Sequence, residues 1–496
     1  MGKFNTITKF FNKTKTTNNL AGGEAYALNP KFELVSILLT SFLGNSFYRS
    51  GDETLKKLVS LINKIDDKKF IAKAGIFARD KYGMRSVSHV LAGEIAKNVK
   101  GEIWTKNFFN KVVVRVDDMN EILAYYLENI DKNKNPKDNK VKSLRPIPNS
   151  LKKGFREAFN RFDKYQLAKY KSENKSVKLI DIVNLIKPKP NEKNAEALKE
   201  LVNGELKATE TWESKLSQAG KNEENEEEKL ELKAEAWREL ILSRKIGYFA
   251  LLRNLRNIIL QAPDITNQVC ELLEDEKLIV KSRVLPFRYT TAFSEIEKLE
   301  PSKELRQVLS SISNAVEISL KNVPVFDGKT LIVIDVSGSM SGKPAEIASL
   351  FGAVLAKANE NAEILLFDTS TQFKNINAKD TVISISKSLR FNGGGTDFNC
   401  IFKALKKAYD RIIILSDMQG WVGYNAPTQV FNEYKKKYTC NPFIYSFDLA
   451  GYGTTQFPES KILCLYGFSD KIFETMKFFE QDRDILIKEI ESFVDF

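Results

Sequence analysis

The residues whose types and spacing most clearly suggest chemistry are Asp335, Ser337 and Ser339, which form D-x-S-x-S after the apolar run LIVI. Where a strand breaks into a loop, side chains at two-residue intervals can converge on one point. Their carboxylate and hydroxyl oxygens suit a cation such as Mg²⁺, which takes six oxygen ligands and keeps several waters. One short loop cannot complete that coordination shell, so other segments must contribute.

Two later segments contain suitable oxygen donors. In FNGGGTDFN, Thr396 follows three consecutive glycines, and in RIIILSDMQGW, Asp417 follows a second apolar run. A single aspartate at a strand end is ordinarily just a polar terminus, but three such segments in this order favour one shared site. The three segments therefore make a site for Mg²⁺ or another divalent cation a candidate, with possible oxygen donors in Asp335, Ser337, Ser339, Thr396 and Asp417.

The stretch GSMSGKP also invites comparison with a phosphate-binding loop. That motif requires four residues between its first glycine and the Gly-Lys pair, followed by Ser or Thr. Here Gly338 and Gly342 are separated by three residues, and Pro344 follows the lysine. The spacing therefore argues against a nucleotide site.

Short apolar runs in the last third of the chain alternate with helical patterns and would position these residues. The runs are LIVIDV (331–336), EILLFD (363–368), RIIILSD (411–417), FIYSFDLA (443–450) and KILCLYGF (461–468). Runs that are β-branched-rich and apolar on both faces are typical of a parallel sheet covered by helices. In such sheets the ligand site lies beyond the carboxyl ends of the strands, where the strand order reverses. Asp335 and Asp417 are both predicted to lie at carboxyl ends.

Residues 28–320 have the pattern of amphipathic helices almost throughout, as in ETLKKLVSLINKI and KIGYFALLRNLRNIILQ. Helices of roughly 10 to 20 residues separated by short polar turns predict antiparallel helix pairs stacked as repeats. Residues 187–233 interrupt this rhythm with KPKP and the charged run KNEENEEEKLELK. We predict a long, mostly solvated connection there.

The composition limits the classes of function. The 496 residues leave room for two or more domains, and the net charge of +12 favours an acidic partner such as nucleic acid. The N-terminal stretch lacks the apolar core of a secretory signal, and no run of about 18 apolar residues suggests a membrane span. We expect a cytoplasmic protein without a membrane partner.

The cysteines do not indicate a disulfide framework or a zinc site, because none of them form a C-x-x-C pair. They are Cys270, Cys400, Cys440 and Cys464.

The five predicted ligands, taken together, resemble the metal-ion-dependent adhesion site of von Willebrand factor A domains. The resemblance covers about Pro324 to Phe496, and all five positions match. It implies that the residues bind Mg²⁺ directly or through water and leave one coordination position for a partner's carboxylate. It also implies a binding module and not an enzyme.

Several stretches of the helical part are hard to explain by packing alone. They are AGGEAYAL near the start, FARDKYGMRSVSHVLAGEIA (77–96), RVDDMNEILAYY (115–126), IPNSLKKGFREAFNRFDKYQLAKYK (147–171), LLRNLRNI (251–258) and KSRVLPFRYTTAF (281–293). In that order they resemble the TROVE module of the Ro 60 kDa autoantigen family, which carries an A domain at its carboxyl terminus. The resemblance implies an all-α ring of HEAT-like helical repeats (15–323) followed by an α/β, doubly wound A domain (324–496).

The same resemblance implies an RNA-binding ribonucleoprotein scaffold. In this family single-stranded 3′ ends of misfolded small RNAs enter the central hole of the ring, and stem-loop-containing Y RNAs lie on the outer basic face. Relatives act in RNA quality control and, in bacteria, together with exoribonucleases. Many relatives have a histidine directly before the PKP turn, where this chain has Lys187. A permanent cation still attracts phosphate there but cannot stack on a base.

Some residues favour RNA independently of the resemblance. FDKYQLAKYK combines cations for phosphate with aromatic faces for unpaired bases, and LLRNLRNI places two arginines on one helix face. The tyrosines could equally pack and present only a hydroxyl, and the arginines could form internal ion pairs. The predicted RNA-contacting residues are Lys164, Tyr165, Gln166, Lys169, Tyr170, Lys171, Lys187, Arg253, Arg256, Arg283 and Arg288.

Three classes of function stay open: an RNA-binding scaffold, an A-domain adaptor that captures a protein through Mg²⁺ with RNA incidental, and a metal-dependent nuclease. A two-metal nuclease needs clustered carboxylates, for which serine and threonine hydroxyls are poor substitutes. The single histidine, His89, has the setting of a packed helix residue, so acid–base and nucleophilic catalysis have no evident residues. We predict a non-enzymatic RNA scaffold that also docks an exoribonuclease or another protein at its metal site.

Overall fold

The structure, a computed structural model, describes residues 16–27, 29–40, 50–131, 146–171, 175–207, 216, 225–282, 284, 286–323, 325–377, 379–422, 427–452, 454–457, 462–465, 476 and 485–496. These residues group into two compact units. The helical unit is drawn from residues 30–45, 50–214 and 484–496, and the sheet unit is drawn from residues 1–29, 46–49 and 215–483.

The helical unit is built from short amphipathic helices with defined starts. At the start of Gly51–Lys64, the Ser50 hydroxyl accepts a hydrogen bond from the Glu53 amide (3.2 Å), and the Glu53 carboxylate accepts one from the Ser50 amide (2.7 Å). This reciprocal capping satisfies donors that a helix start leaves unpaired, while Leu58 and Leu61 bury the apolar face. The helices of the unit are Pro30–Thr40, Gly51–Lys64, Lys68–Lys81, Ser86–Asn98, Trp104–Val112, Val116–Asp131, Asn149–Phe159, Lys164–Lys169, Leu179–Ile186, Ala195–Val202 and Ile485–Phe493.

In the sheet unit, helices both precede the main sheet and alternate with its strands. The preceding helices are Glu226–Leu242, Tyr248–Gln261, Thr266–Glu274, Glu276–Ser282, Pro286–Glu297 and Lys303–Ser319. The alternating helices are Lys343–Ala358, Val382–Ser388, Phe398–Ala404 and Pro427–Tyr438. The strands are β1 (Thr16–Asn18), β2 (Glu24–Ala27), β3 (Thr330–Asp335), β4 (Ala362–Phe367), β5 (Thr371–Lys374), β6 (Arg411–Ser416), β7 (Phe443–Asp448), β8 (Thr454–Thr455) and β9 (Ile462–Leu465).

The main sheet has the strand order β5-β4-β3-β6-β7-β9, and its neighbouring strands are parallel except β5, which is antiparallel to β4. Every residue of β3 and β6 is buried, because helices cover both faces of a parallel sheet. The chain continues from β3 to β4 on one side and later places β6 on the other side. The strand order therefore reverses at β3, where Ile334 lies opposite Leu415.

A second, antiparallel sheet has the order β1-β2-β8. β1 and β2 form a hairpin in which Thr17 pairs with Ala25, and Tyr26 of β2 pairs with Thr455 of β8. The sequence pattern did not reveal these strands, because runs of two to four residues show no readable alternation.

The predicted fold class is confirmed: a helical-repeat region is followed by a doubly wound α/β domain. The predicted strands correspond to β3, β4, β6, β7 and β9. The boundary between residues 323 and 324 stays a prediction. Of the predicted connection 187–233, the structure describes helix Ala195–Val202 and the start of helix Glu226–Leu242, and much of the rest lies outside the described residues. No helix in the described part of the chain is long and apolar enough to cross a membrane.

A buried charge network fixes helix Val116–Asp131 in the helical unit. Asp118 is 0% exposed and binds Arg79 (2.9 Å), Arg85 (3.1 Å) and His89 (2.9 Å), together with two backbone amides of the preceding turn. Burial by itself would raise the pKa of Asp118, but the His89 hydrogen bond and the Arg79 charge outweigh it and hold this pKa well below its usual range. The interpretation of His89 as a packed helix residue is thus confirmed.

Removing the Asp118 carboxylate should leave the buried Arg79 guanidinium without its ion-pair partner. We expect Asp118→Ala to lower the free energy of unfolding of the helical unit by about 3–5 kcal/mol, the usual cost of breaking a buried ion pair. The matched control is Glu121→Ala, which removes a partly exposed ion pair with Lys175 and should cost below about 1 kcal/mol. Urea unfolding followed by circular dichroism measures both, and equal effects would contradict the assignment.

The lowered pKa of Asp118 also predicts a pH dependence. The charged carboxylate stabilises the fold fully above its unfolded pKa of about 3.9, and this contribution is lost as pH falls towards the folded pKa. Wild-type stability should therefore decrease more steeply below about pH 4 than that of Asp118→Ala.

Candidate metal-binding site and basic surfaces

The sheet brings the two predicted metal-binding aspartates to one edge. Asp335 is the last residue of β3, Asp417 directly follows β6, and both side chains are 0% exposed. Because β3 and β6 are parallel neighbours, their carboxyl ends lie side by side. The Ser416 hydroxyl donates a hydrogen bond to Oδ2 of Asp335 (2.5 Å), which ties the two strand ends together.

The loop after β3 turns its serines towards this edge. The Ser337 amide donates to Oδ1 of Asp335 (2.9 Å), and the hydroxyls of Ser337 and Ser339 are 3.3 Å apart. Both serines are buried, at 2% and 5% exposure. The Gly338 amide donates to the Gly394 carbonyl (3.0 Å), so this loop also contacts the glycine-rich turn before Thr396.

Thr396 is joined to the loop after Asp417. The amides of Trp421 and Val422 both donate to the Thr396 carbonyl at 3.1 Å, and the Gln419 amide donates to Oδ1 of Asp417 (3.1 Å). Thr396 is 1% exposed. The structure thus brings the three predicted loops together through direct hydrogen bonds.

The electrostatics of this edge suit a cation. Burial raises the pKa of Asp335, and the negative charge of Asp417 raises it further. Burial likewise raises the pKa of Asp417, whose buried Oδ2 accepts no hydrogen bond from the described residues. A carboxylate oxygen buried without a donor is costly unless a cation or proton balances it.

The donor set therefore fits a hard divalent ion. Two carboxylates with hydroxyls from Ser337, Ser339 and Thr396 are the oxygen ligands that Mg²⁺ prefers. In the part of the chain that the structure describes, no three His, Cys, Asp or Glu side chains cluster as a metal-binding group. Any ion at this edge would therefore depend on the hydroxyls and on water for most of its ligands.

Trp421 is an exposed aromatic residue beside this edge that the sequence analysis did not single out. Its side chain is 56% exposed, and a Cβ on Gly395 would lie 2.8 Å from its ring. Nothing in the local sequence distinguishes it from a core tryptophan, because its exposure depends on the loop conformation.

The stretch at 164–171 forms a short helix with mixed roles. Gln166 is a capping residue, since its amide donates to Asp163 (2.8 Å) and its side chain accepts from the Asp163 amide (3.1 Å). Lys164 pairs with Glu196 (2.9 Å) and Glu200 (2.6 Å), and these hydrogen bonds, first that of Glu200, raise the pKa of Lys164. Carboxylates therefore balance much of the Lys164 charge.

Tyr165, Lys169, Tyr170 and Arg115 form what we call the tyrosine patch. Tyr165 is 47% exposed, and the Lys169 ammonium lies 5.8 Å and 5.7 Å from the ring centres of Tyr165 and Tyr170. Arg115 lies over the Tyr170 ring at 4.3 Å and was missed by the sequence analysis, because only the fold brings it to this helix. Nearby, the Lys171 ammonium donates to the Leu206 carbonyl (2.9 Å).

Lys187 ends helix Leu179–Ile186 in a left-handed conformation, with φ of 47°. Its amide donates to the Val183 carbonyl (2.8 Å), and its side chain is exposed. Arg156 donates to the Ile186 carbonyl (2.6 Å) and so fixes this helix end. Lys187 is therefore presented to solvent by a defined turn.

The remaining predicted RNA residues lie in the sheet unit. Arg253 and Arg256 are exposed on helix Tyr248–Gln261, and neither forms an ion pair among the described residues. Phe249, which the sequence analysis missed, is 46% exposed four residues before Arg253 and therefore on the same face. Arg288 lies over its ring at 5.3 Å. Arg283 lies outside the described residues.

Known protein families match most of the chain. The family model described as TROVE domain matches residues 29–204 and 203–337, and the model described as Ro60 vWA domain matches residues 329–480. The crystal structure of the Deinococcus radiodurans RO (RSR) protein matches with a TM-score of 0.63 and 16% sequence identity. That match covers 90% of this chain and 99% of the other, which establishes a shared fold.

Curated relatives are much longer than this chain. Telomerase protein component 1 of Mus musculus is 37% identical over 97 residues, which are 19% of this chain and 3% of that protein. The Rattus norvegicus protein of the same name is 21% identical over 311 residues, 47% of this chain and 11% of that protein. This chain therefore spans only a small part of the length of these relatives. Because the family models together span residues 29–480, the chain belongs to the family of proteins that combine a TROVE domain with a Ro60 von Willebrand factor A domain.

Proposed function

We propose that this protein is a non-enzymatic RNA-binding scaffold that also docks a protein through a divalent cation. The RNA would be a small noncoding, Y-like RNA or the single-stranded 3′ end of a misfolded RNA in RNA quality control. The observation that carries the RNA proposal is the tyrosine patch of the helical unit, in which the Tyr165 ring is exposed. Membership of the TROVE family supports it.

The tyrosine patch has the chemistry that unpaired RNA requires. Bases of a single strand stack on aromatic faces, while neighbouring cations attract the phosphates. Tyr165 offers an exposed ring, and Lys169 lies beside both tyrosines. Arg115 lies over the Tyr170 ring and also pairs with Asp117 (3.0 Å). The stripe of Phe249, Arg253 and Arg288 in the sheet unit combines the same groups.

The cation site would serve docking. When bound, the ion supplies a Lewis-acid position for a carboxylate of the partner, for which we propose an exoribonuclease or another protein. Asp335 and Asp417 would balance the charge of the ion, and Ser337, Ser339 and Thr396 would coordinate it directly or through water. Two carboxylates with hydroxyls are a poor set for a two-metal nuclease, so we propose binding and not catalysis.

An adaptor that docks proteins, with RNA incidental, is the second candidate function. The buried Asp417 oxygen that accepts no hydrogen bond from the described residues favours it.

Loss of the Tyr165 ring should weaken binding of single-stranded tails. For RNA with a 3′ single-stranded tail we expect Tyr165→Ala to reduce affinity by about 1–3 kcal/mol, the usual contribution of one stacked base. Tyr165→Phe keeps the ring and should bind like wild type. Filter binding with tailed RNA and blunt duplex measures this, and equal wild-type affinity for both RNAs would reject recognition of a free end.

The salt dependence should distinguish lysines that contact phosphate from a lysine whose charge is balanced by glutamates. With about five phosphate contacts, log K should fall against log salt with a slope of roughly −3.5, and Lys169→Ala with Lys171→Ala should make it shallower by about 1.4. Lys164→Ala is the matched control, because Glu196 and Glu200 already balance its charge, and it should change the slope little. An unchanged slope in the double variant would place the RNA surface elsewhere.

Removal of one cation ligand should abolish stabilisation by Mg²⁺ without loss of RNA binding. A bound ion stabilises the fold by mass action, so Mg²⁺ should raise the melting temperature of wild type and of Ser341→Ala, whose serine is exposed on the same loop. It should not raise that of Asp335→Ala or Ser339→Ala. RNA affinity of Asp335→Ala should change less than about threefold, or roughly 0.6 kcal/mol. A tenfold loss in a folded variant would show that the two sites are one.

A further inference from the structure

The hairpin of β1 and β2 contacts the loop that follows Asp417, residues 418–422, which we call the ligand loop. Asn19, at the hairpin turn, is 5% exposed and donates from Nδ2 to the Gly420 carbonyl (2.5 Å). The Leu20 amide donates to Oε1 of Gln419 (2.7 Å). These hydrogen bonds join segments about 400 residues apart in sequence, so only the fold creates them.

Gln419 connects this contact to the predicted ligand Asp417. Its side chain is 0% exposed, its amide donates to Oδ1 of Asp417 (3.1 Å), and its Nε2 donates to the Asp417 carbonyl (3.2 Å). The remaining oxygen of the same side chain accepts from Leu20. The side-chain amide of Gln419 therefore binds the Asp417 carbonyl through its nitrogen and the hairpin through its oxygen.

The small sheet also supports the ligand loop from a second direction. Gln456 directly follows β8, which pairs with β2, and donates from Nε2 to the Met418 carbonyl (3.1 Å). Met418 has φ of 57°, in the left-handed region that a non-glycine residue adopts at a cost. Such a conformation persists where surrounding contacts hold it. At the far end of the loop, Trp421 and Val422 bind Thr396, a second predicted ligand.

The hairpin fits the loop closely. A Cβ at Gly23 would lie 2.0 Å from the Gly420 carbonyl oxygen and 2.6 Å from the Trp421 Cα. Within the hairpin, Asn19 also accepts from the Gly23 amide (2.9 Å), so the turn that contacts the loop is itself ordered by the same side chain.

We propose that the hairpin, residues 16–27, is a positioning element of the cation site. It holds the ligand loop in the conformation that presents Asp417 and Thr396 to the ion. This inference rests on the cation site proposed above. Partners that orient metal ligands from outside the coordination shell ordinarily change metal affinity by about 10- to 100-fold, and Asn19 acts one contact further out.

The decisive variant is Asn19→Ala, and Asn18→Ala is its matched control, since Asn18 is the neighbouring residue of β1 but is exposed. Without metal, hydrogen exchange of the Trp421 and Val422 amides should be at least about tenfold faster in Asn19→Ala, because the loop opens more often. In calorimetric titration with MgCl₂, the Kd should rise about fivefold or more. Asn18→Ala should match wild type in both measurements.

A second variant tests whether the effect of Asn19→Ala comes from the hairpin contact and not only from loss of the Asn19 side chain. Gly23→Ala keeps every hydrogen-bonding group but forces the hairpin away from Gly420, so it should show the same two changes with an unchanged circular dichroism spectrum. Unchanged exchange in both variants, or faster exchange with unchanged Mg²⁺ affinity, would overturn the inference. Absence of Mg²⁺ binding by wild type would overturn the proposed cation site instead. In that case, faster exchange of the Trp421 and Val422 amides in the two variants would still show that the hairpin stabilises the ligand loop. Unchanged exchange would show that it does not.

Discussion

Two buried carboxylates at neighbouring strand ends impose the constraint on which the sheet unit depends. Parallel pairing of β3 with β6 places Asp335 and Asp417 at one edge, and both side chains are fully buried. Burial raises the pKa of both carboxyls, and the charge of Asp417 raises that of Asp335 further. The Ser416 hydroxyl and backbone amides of the surrounding loops donate hydrogen bonds to them. The loop after β3 contacts the glycine-rich turn through the Gly338 amide, and Thr396, which follows that turn, accepts from the ligand loop.

The helical unit contains a buried carboxylate whose partners are cations instead of hydroxyls. Asp118 is equally buried and is surrounded by Arg79, Arg85 and His89. Burial would raise its pKa, but the His89 hydrogen bond and the Arg79 charge hold this pKa below its usual range. At the sheet edge the described residues provide hydroxyls and amides around Asp335 and Asp417, and the pKa of each is raised. A buried carboxylate balanced by the protein's own cations stays charged, whereas one beside hydroxyls and amides has a raised pKa, and a bound cation would stabilise its charged form. This contrast separates a structural charge network from the proposed cation site within one chain.

The basic residues show a similar division of roles. Lys164 is held by two glutamates and Gln166 caps a helix, so neither is as available to a ligand as its position in FDKYQLAKYK suggests. Tyr165 is exposed beside Lys169. An abundance of lysine produces a positive field, but exposure and local partners decide which side chains can contact RNA.

The sequence by itself determined the fold class and the cation-binding candidates. Apolar runs fix the strands of a buried parallel sheet, and D-x-S-x-S fixes the loop after β3, because periodicity and spacing are local properties of the chain. Contacts between distant segments were decided only by the tertiary structure. Arg115 reaches Tyr170, Phe249 meets Arg288, and the hairpin of β1 and β2 reaches the ligand loop. Sequence spacing does not predict these pairs, because each depends on how separate elements pack. Packing is a property of the whole chain.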